Sequence, residues 1–87
     1  MALVTVVIPN WNGRAMLQAC LEALQAQTLS DHRVIVVDNG SGDGSVAWLG
    51  ENYPGVKVIQ NAENRGFAAP ANQGIQASDS PYVAVLN

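Results

Sequence analysis

The sequence is poor in cysteine, in basic residues and in long apolar runs. Its 87 residues include one cysteine, Cys20, so no internal disulfide can form and a disulfide-stapled secreted scaffold is excluded. Four basic residues against seven acidic ones give a formal net charge of −3, which provides no basic surface for nucleic acid. No apolar run approaches the roughly 20 residues that span a bilayer. The run from Leu3 to Ile8 also lacks the basic leader and cleavage site of a signal peptide.

Hydrophobic side chains are abundant in the sequence. Hydrophobic residues make up 48% of the chain and charged residues only 13%, a balance that excludes a disordered polypeptide. The length suffices for one small domain and not for two.

Short β-branched or aromatic runs alternate along the chain with segments of helical spacing. The runs cover residues 3–8, 33–37, 56–59 and 82–86. Between them, apolar residues recur at the helix period; these are Met16, Leu17, Cys20, Leu21 and Leu24, then Val46, Leu49 and Tyr53, then Phe67, Ala68, Ala71 and Ile75. The order βαβαβαβ predicts a Rossmann-like α/β fold, with four parallel strands between helices.

Individual residues predict where these elements begin and end. Pro9 is expected to end the first strand, because proline cannot continue a hydrogen-bond ladder. Asn12 and Asp43 are placed to cap helix N-termini. Pro70 fits only in the first turn of the third helix, and Asn72 is expected on that helix's inner face.

Polar residues follow the strands at the sheet edge where ligands of open α/β sheets bind. Asn10 and Asn12 offer amide groups above a helix N-terminus, although turn and cap chemistry alone would also explain them. Asp38 could accept hydrogen bonds from a ribose or from the N3–H of a pyrimidine, or simply close a turn. Arg65 could pair with a phosphate or be solvated. Trp11 either packs over the first helix or faces a ligand.

The glycine-rich run after the second strand carries little functional information. Its spacing from Gly40 to Gly44 is not that of a dinucleotide fingerprint, it lacks the lysine of a phosphate-binding loop, and its oxygen ligands do not alternate as in a calcium loop. His32 has no second histidine or cysteine at a metal-ligand spacing.

Together these segments resemble the N-terminal nucleotide-binding part of a family 2 glycosyltransferase with the GT-A fold. The matching segments are VVIPNWN at 6–12, VIVVDNGS at 34–41, NRGFAA at 64–69, NQGI at 72–75 and VAVLN at 83–87. They occur in the family's order and run through essentially the whole chain. The NWNG and DNGS variants resemble a rhamnosyltransferase-like branch of the family.

The resemblance implies which residues bind the donor nucleotide. Pro9 and Asn10 would line the base pocket, and Asp38 would contact a uracil-type base. The turn from Asn64 to Gly66 would close over base and ribose. The full predicted nucleotide-binding set is Pro9, Asn10, Asn12, Asp38, Asn39, Asn64, Arg65 and Gly66.

The resemblance also implies a metal site at the end of the fourth strand. In the family this strand runs into an Asp/Asn-x-Asp motif whose last acid binds a divalent metal, and Asn87 matches the first position. Residues 1–87 are therefore expected to be a nucleotide-sugar-binding subdomain that stops before the metal-binding Asp and the acceptor-binding half. Mn²⁺ or Mg²⁺ is expected in the full-length protein and not in this part alone.

The function implied is that of an inverting glycosyltransferase in polysaccharide or cell-wall biosynthesis. The full protein would transfer a sugar from a UDP- or dTDP-linked donor to a saccharide or lipid-linked acceptor, in the cytoplasm or at the inner face of the membrane. The part alone would be inactive, because it lacks the Lewis acid and the base that the transfer needs. Its open sheet edge also predicts self-association.

Two other functions compete with this interpretation. A stand-alone, non-catalytic nucleotide-binding module would need the same strand-end residues. A receiver-like signalling domain with Asp38 as phosphoacceptor is disfavoured, because Asn10 and Asn12 stand where an acidic pair would be required.

Overall fold

The computed structural model describes residues 2–26 and 31–86 of the chain. Strands and helices alternate in the predicted order. The elements are β1 (Val4–Asn10), α1 (Arg14–Gln25), β2 (His32–Asp38), α2 (Ser45–Asn52), β3 (Lys57–Gln60), α3 (Ala68–Ala77) and β4 (Tyr82–Val85).

The strands form one parallel sheet in the order β3-β2-β1-β4. The longest pairing joins β1 to β2, from Val4 opposite His32 to Asn10 opposite Asp38. The Rossmann-like fold predicted from the alternation is thus confirmed, and β1 and β2 end side by side at the same edge of the sheet.

The two faces of the sheet are covered by different helices. On one face, Leu17 and Leu21 of α1 and Leu49 of α2 pack against Val36 and its neighbours in the main core cluster. On the other face, a smaller cluster of Val7, Ile35 and Val37 lies under α3. Successive side chains of β1 and β2 point alternately to the two faces, so both strands contribute to both core clusters. Nearly continuous apolar strands are typical of a sheet that is covered on both faces.

Helix α3 lies close against β1 because its inner face is built of small residues. Pro70, Ala71 and Gly74 are its buried residues, and a Cβ added at Gly74 would lie only 2.2 Å from Cγ1 of Val7. Val7 itself is fully buried. Only a residue without a side chain fits at Gly74 at this separation.

The apolar spacing predicted for α3 and α1 is partly wrong. The side chains of Phe67 and Ile75 are 56% and 44% exposed, so they do not form the inner face of α3. Asn72 is also exposed, and the neighbouring Gln73 is half-buried instead. Met16 of α1 is 68% exposed, whereas Leu17 is buried as expected.

Pro9 does not end β1, contrary to the prediction. The strand continues through Pro9 opposite Val37 and Asn10 opposite Asp38. In β1, the carbonyl of Val7 accepts from the N–H of Leu86, and the carbonyl of Asn10 accepts from the N–H of Asn39 in the loop after β2. The backbone N–H and C=O groups of odd-numbered residues therefore point toward β4, and those of even-numbered residues point toward β2. The missing N–H of Pro9 is on the β4 side, beyond the last described pair of that ladder, Val7 with Val85, so the ladder between β1 and β2 continues through Pro9 without loss.

Strand β4 is an exposed edge of the sheet. Tyr82, Val83 and Val85 are 65%, 37% and 36% exposed, although all three are apolar or aromatic. Over residues 2–26 and 31–86, no helix has both the length and the apolar character needed to cross a membrane.

Candidate functional site

A cavity opens where β1 and β2 end, beside the start of α3. Its volume is about 280 Å³. The lining residues are Pro9, Asn10, Trp11, Asn39, Asn64, Gly66, Phe67 and Pro70. The cavity thus lies at the carboxyl end of the strands, where the fold predicts a ligand.

The structure brings most of the predicted nucleotide-binding residues to this cavity. Pro9, Asn10, Asn39, Asn64 and Gly66 line it, whereas Asn12, Asp38 and Arg65 do not. The cavity is therefore formed by three chain segments that are far apart in the sequence.

Three lining residues were not predicted as site residues. Pro70 departs from the polar or small residue that the family often has at its position, Phe67 is predicted in the core, and for Trp11 the sequence leaves packing and ligand contact as alternatives. The rings of Trp11 and Phe67 are each 56% exposed beside the cavity. The signal available in the sequence was an aromatic residue directly after a strand-end motif, at Asn10-Trp11 and at Gly66-Phe67.

Asp38 is buried and turned toward the next residues of its own loop. It is 3% exposed. Its Oδ1 accepts from Nδ2 of Asn10 at 3.0 Å and from the hydroxyl of Ser41 at 2.7 Å, and its Oδ2 accepts from the backbone N–H of Ser41 at 2.9 Å. Its carboxylate holds the ends of β1 and β2 together, and Asp38 lines a separate polar cavity under the start of α2.

Asn39 connects the end of β2 to the turn that precedes α3. Its Nδ2 donates to Oδ1 of Asn64 at 3.0 Å and to the carbonyl of Gly66 at 2.9 Å. Its Oδ1 accepts from the backbone N–H of Arg65 at 3.0 Å and from Nδ2 of Asn61 at 3.3 Å. Asn39 is 5% exposed, so these bonds are made largely out of water.

The loops after β1 and β2 are also joined, through Asn12, Ser41 and Asp43. Asn12 has a left-handed backbone with φ of 50°. Its Oδ1 accepts from the N–H of Gly42 at 2.7 Å, and its own N–H donates to the hydroxyl of Ser41 at 2.9 Å. The N-cap of α1 is Gly13, so the prediction that Asn12 caps this helix is wrong.

Asp43 caps two helices from a position before the N-cap of α2. Its carboxylate accepts from the backbone N–H groups of Arg14 and Ser45, the first residues of α1 and α2, each at 3.1 Å, and from the Ser45 hydroxyl. The Ser45 hydroxyl, followed by these N–H groups, lowers the pKa of the Asp43 carboxyl against an opposing effect of desolvation. The negative charge lies where both helix dipoles favour it.

Arg65 is exposed, and its guanidinium makes no hydrogen bond or ion pair with the described residues. Its backbone N–H donates to Oδ1 of Asn39 at 3.0 Å. The side chain is therefore available to a ligand beside the cavity, as either interpretation of the sequence allows.

The described residues do not by themselves fit a divalent metal. Over 2–26 and 31–86 there is no group of three or more histidine, cysteine, aspartate or glutamate side chains that could hold one. Asn87, the predicted first position of the metal motif, lies outside the described residues. The metal therefore stays a prediction about the full-length protein.

The family assignment rests on a match that covers nearly the entire chain. Residues 5–87 match the model of the family described as glycosyl transferase family 2. The chain belongs to glycosyl transferase family 2. The resemblance seen in the sequence is confirmed at this level.

The relatives and solved structures that this chain matches are considerably longer than the chain itself. The uncharacterized glycosyltransferase YibD of Escherichia coli (strain K12) is 34% identical over 86 residues, which cover 95% of this chain and 25% of YibD. The mannosyltransferase PcManGT from Pyrobaculum calidifontis, solved in complex with GDP-Man and Mn²⁺, superposes with a TM-score of 0.76 at 26% identity, over 88% of this chain and 24% of its own. The chain thus spans about a quarter of the length of these proteins.

A second solved structure supports the fold alone. S. aureus TarS (residues 1–349) has a TM-score of 0.86 at 23% identity, over 95% of this chain and 26% of TarS. The described sheet and its helices thus share the Rossmann-like arrangement of these GT-A glycosyltransferases.

Proposed function

We propose that this chain binds the nucleotide of a nucleotide-diphosphate sugar, as the donor-binding part of a glycosyltransferase. The observation that carries the proposal is the cavity at the ends of β1 and β2, with the exposed rings of Trp11 and Phe67 beside it. Its volume of about 280 Å³ is near the lower end of small-molecule sites, about 300–1,000 Å³. Exposed aromatic rings offer faces on which a base can stack.

Two side-chain groups of the lining fit a base that presents a carbonyl beside an N–H. Asn64 uses Oδ1 for its bonds to Asn39 and Gly66, and Asn10 uses Nδ2 for its bonds to Asp38 and Ser41. The Nδ2 donor of Asn64 and the Oδ1 acceptor of Asn10 have no partner among the described residues. A donor and an acceptor match a carbonyl and the adjacent N–H of uracil or thymine, and equally those of guanine, so the pair fits a UDP- or dTDP-linked donor without excluding a GDP-linked one.

Tryptophan fluorescence tests the proposal, because one of the two tryptophans of the chain lines the cavity. Replacing Trp48, which lies on α2, with phenylalanine leaves Trp11 as the sole reporter. We expect UDP or dTDP to change the Trp11 emission in a saturable manner. Inorganic pyrophosphate is the control and should not, because it has no base to stack.

Each outcome of this titration bears on the proposal. GDP binding with no response to UDP or dTDP would retain nucleotide recognition but overturn the expectation of a uracil or thymine base. No response to any of the three nucleotides, or the same response to pyrophosphate, would contradict base recognition in this cavity.

The rest of the reaction is proposed for the full protein. It would transfer the sugar with inversion to a saccharide or lipid-linked acceptor, in the cytoplasm or at the inner face of the membrane, with Mn²⁺ or Mg²⁺ on the diphosphate. The relatives that are four times as long and the GDP-Man and Mn²⁺ of PcManGT support this proposal. The isolated chain would bind nucleotide without transferring sugar.

Self-association of the isolated chain is proposed from the exposed edge strand β4. The backbone N–H groups of Tyr82 and Leu86 donate to β1, so those of Val83 and Val85 face away from the sheet. An unpaired edge with exposed apolar side chains is a template for pairing with a second copy. Sedimentation velocity should show a concentration-dependent shift above the monomer value, and a monomer at all concentrations would refute the proposal.

A further inference from the structure

We infer that Asn39 is a positioning residue, which fixes the turn of residues 64–66 beside the cavity and makes no hydrogen bond to the ligand itself. The inference rests on the proposed nucleotide binding and assigns Asn39 an indirect part in it. It starts from a count of hydrogen-bonding groups. A primary amide has two N–H donors and an oxygen with two lone pairs.

All four of these groups are already used within the protein. The two donors of Asn39 go to Asn64 and Gly66, and the oxygen accepts from Arg65 and Asn61. With 5% of its surface exposed, Asn39 has no hydrogen-bonding capacity left for a base or a ribose. On the cavity wall, Asn39 can therefore offer a ligand only van der Waals contact. Hydrogen bonds to a ligand must come from neighbouring residues.

The segment that Asn39 holds is otherwise exposed. Residues 62–68 are exposed, and Arg65 and Gly66 lie before the first residue of α3. Within this segment, Oδ1 of Asn64 also accepts from the N–H of Gly66 at 2.8 Å. Short loops with few buried contacts open easily, so a fixed shape here depends on these polar bonds.

Two further contacts fix the loop after β3, one with α3 and one with the loop after β2. Asn61 and Gln73 exchange two hydrogen bonds, at 2.8 and 2.9 Å, which join this loop to α3. A Cβ added at Gly40 would lie 2.8 Å from Cα of Glu63, and Gly40 has φ of +84°. The backbones after β2 and β3 thus meet directly beside Asn39.

Only an amide satisfies this position. Aspartate has nearly the same shape but carries acceptors alone when ionised, so N39D would place a negative oxygen against the carbonyl of Gly66. Asn64 could rotate its amide to donate to the new carboxylate, but it would then lose the bond from the N–H of Gly66. The substitution therefore separates the shape of the side chain from its hydrogen-bond pattern.

The test compares N39D with N72D, which makes the same chemical change at an exposed α3 position that has no hydrogen bond to the described residues. Amide hydrogen exchange by NMR, without nucleotide, should be about tenfold or more faster at Gly66 in N39D, because the Asn64 oxygen that accepts from its N–H is turned away. The N–H of Arg65 keeps its acceptor, because aspartate retains the oxygen that stands at Oδ1 of Asn39. The amides of β1 and β2 are the internal reference. The Kd for UDP or dTDP, measured by the Trp11 fluorescence, should rise by roughly tenfold or more in N39D, because a preorganised wall has been lost. N72D should leave both measurements unchanged.

The outcomes separate this inference from the proposed function. If the wild-type chain binds no nucleotide, the proposed function fails, while the exchange rates still report whether Asn39 orders the turn. If exchange at Gly66 is unchanged in N39D, or accelerates without any loss of affinity, the positioning role is overturned. A merely structural residue would lower the urea midpoint without a selective change at the Gly66 amide.

A second variant serves if N39D does not fold. Asn64 is exposed, so N64A is expected to fold. It removes the acceptor for Asn39 and Gly66, and we expect faster exchange at the Gly66 amide. The exchange rate is the readout for this variant, because Nδ2 of Asn64 is itself proposed to bind the base and its loss alone would weaken the Kd. Unchanged exchange at Gly66 in N64A would equally overturn the inference.

Discussion

Replacing Gly74 with valine should destabilise the chain by about 3 kcal/mol or more, since overpacking a closely packed site costs 1–3 kcal/mol and occasionally more. A Cβ at this position would lie 2.2 Å from Cγ1 and 2.9 Å from Cγ2 of Val7. Val7 is fully buried in β1 and cannot move aside without disturbing the centre of the sheet. Urea unfolding measures the effect as a lower transition midpoint.

Gly50 provides the matched control for this substitution. It also lies within a helix, α2, but it is exposed and an added Cβ meets nothing within 4 Å. Because glycine and valine are both poor helix formers, Gly50→Val should change the stability by less than about 0.5 kcal/mol. Equal effects of the two substitutions would show that helix propensity, and not the contact between α3 and β1, limits stability.

Replacing Asp38 with asparagine should cost about 1–3 kcal/mol, the cost of a buried donor left without an acceptor. Both carboxylate oxygens of Asp38 accept hydrogen bonds, from Asn10 and Ser41. An amide has one oxygen and one NH₂ group, so in either orientation a donor would face a donor. The unfolding free energy from urea titration measures the loss.

Asp79→Asn is the control for the loss of a carboxylate. Asp79 pairs with Arg33 at 3.4 Å, and the two side chains are 64% and 41% exposed. An exposed ion pair contributes about 0–1 kcal/mol, so this variant should remain close to the parent. A D38N variant as stable as D79N would contradict the view that the Asp38 carboxylate joins the two loops.

The periodicity of the sequence was sufficient to predict the fold, because both faces of the two central strands had to be covered. The apolar runs at 3–8 and 33–37 became β1 and β2 at the centre of the sheet, where both faces are buried. The alternation with helices then left little choice of topology. The fold in turn predicted a ligand site at the carboxyl ends of the strands. The cavity there is lined by Pro9, Asn10, Asn39, Asn64 and Gly66.

The errors arose where a residue's neighbours in space decide its role. Helical spacing assigned Phe67 to the core, but the inner face of α3 is formed by small residues that bring it close to β1. Pro9 was expected to end its strand, yet which side its missing N–H faces depends on the register with β4. Asn12 bonds to the loop after β2, a contact between residues 30 positions apart that no local pattern reveals.

The two prolines of the cavity have a thermodynamic consequence for binding. Pro9 and Pro70 form part of its wall, and their rings fix φ in the free and the bound chain alike. Such a wall has little conformational entropy to lose when a ligand arrives, whereas the exposed rings of Trp11 and Phe67 each lose the freedom of two side-chain torsions. The entropic cost of recognition would thus be concentrated in two aromatic side chains, while the backbone beside them is set before the ligand arrives.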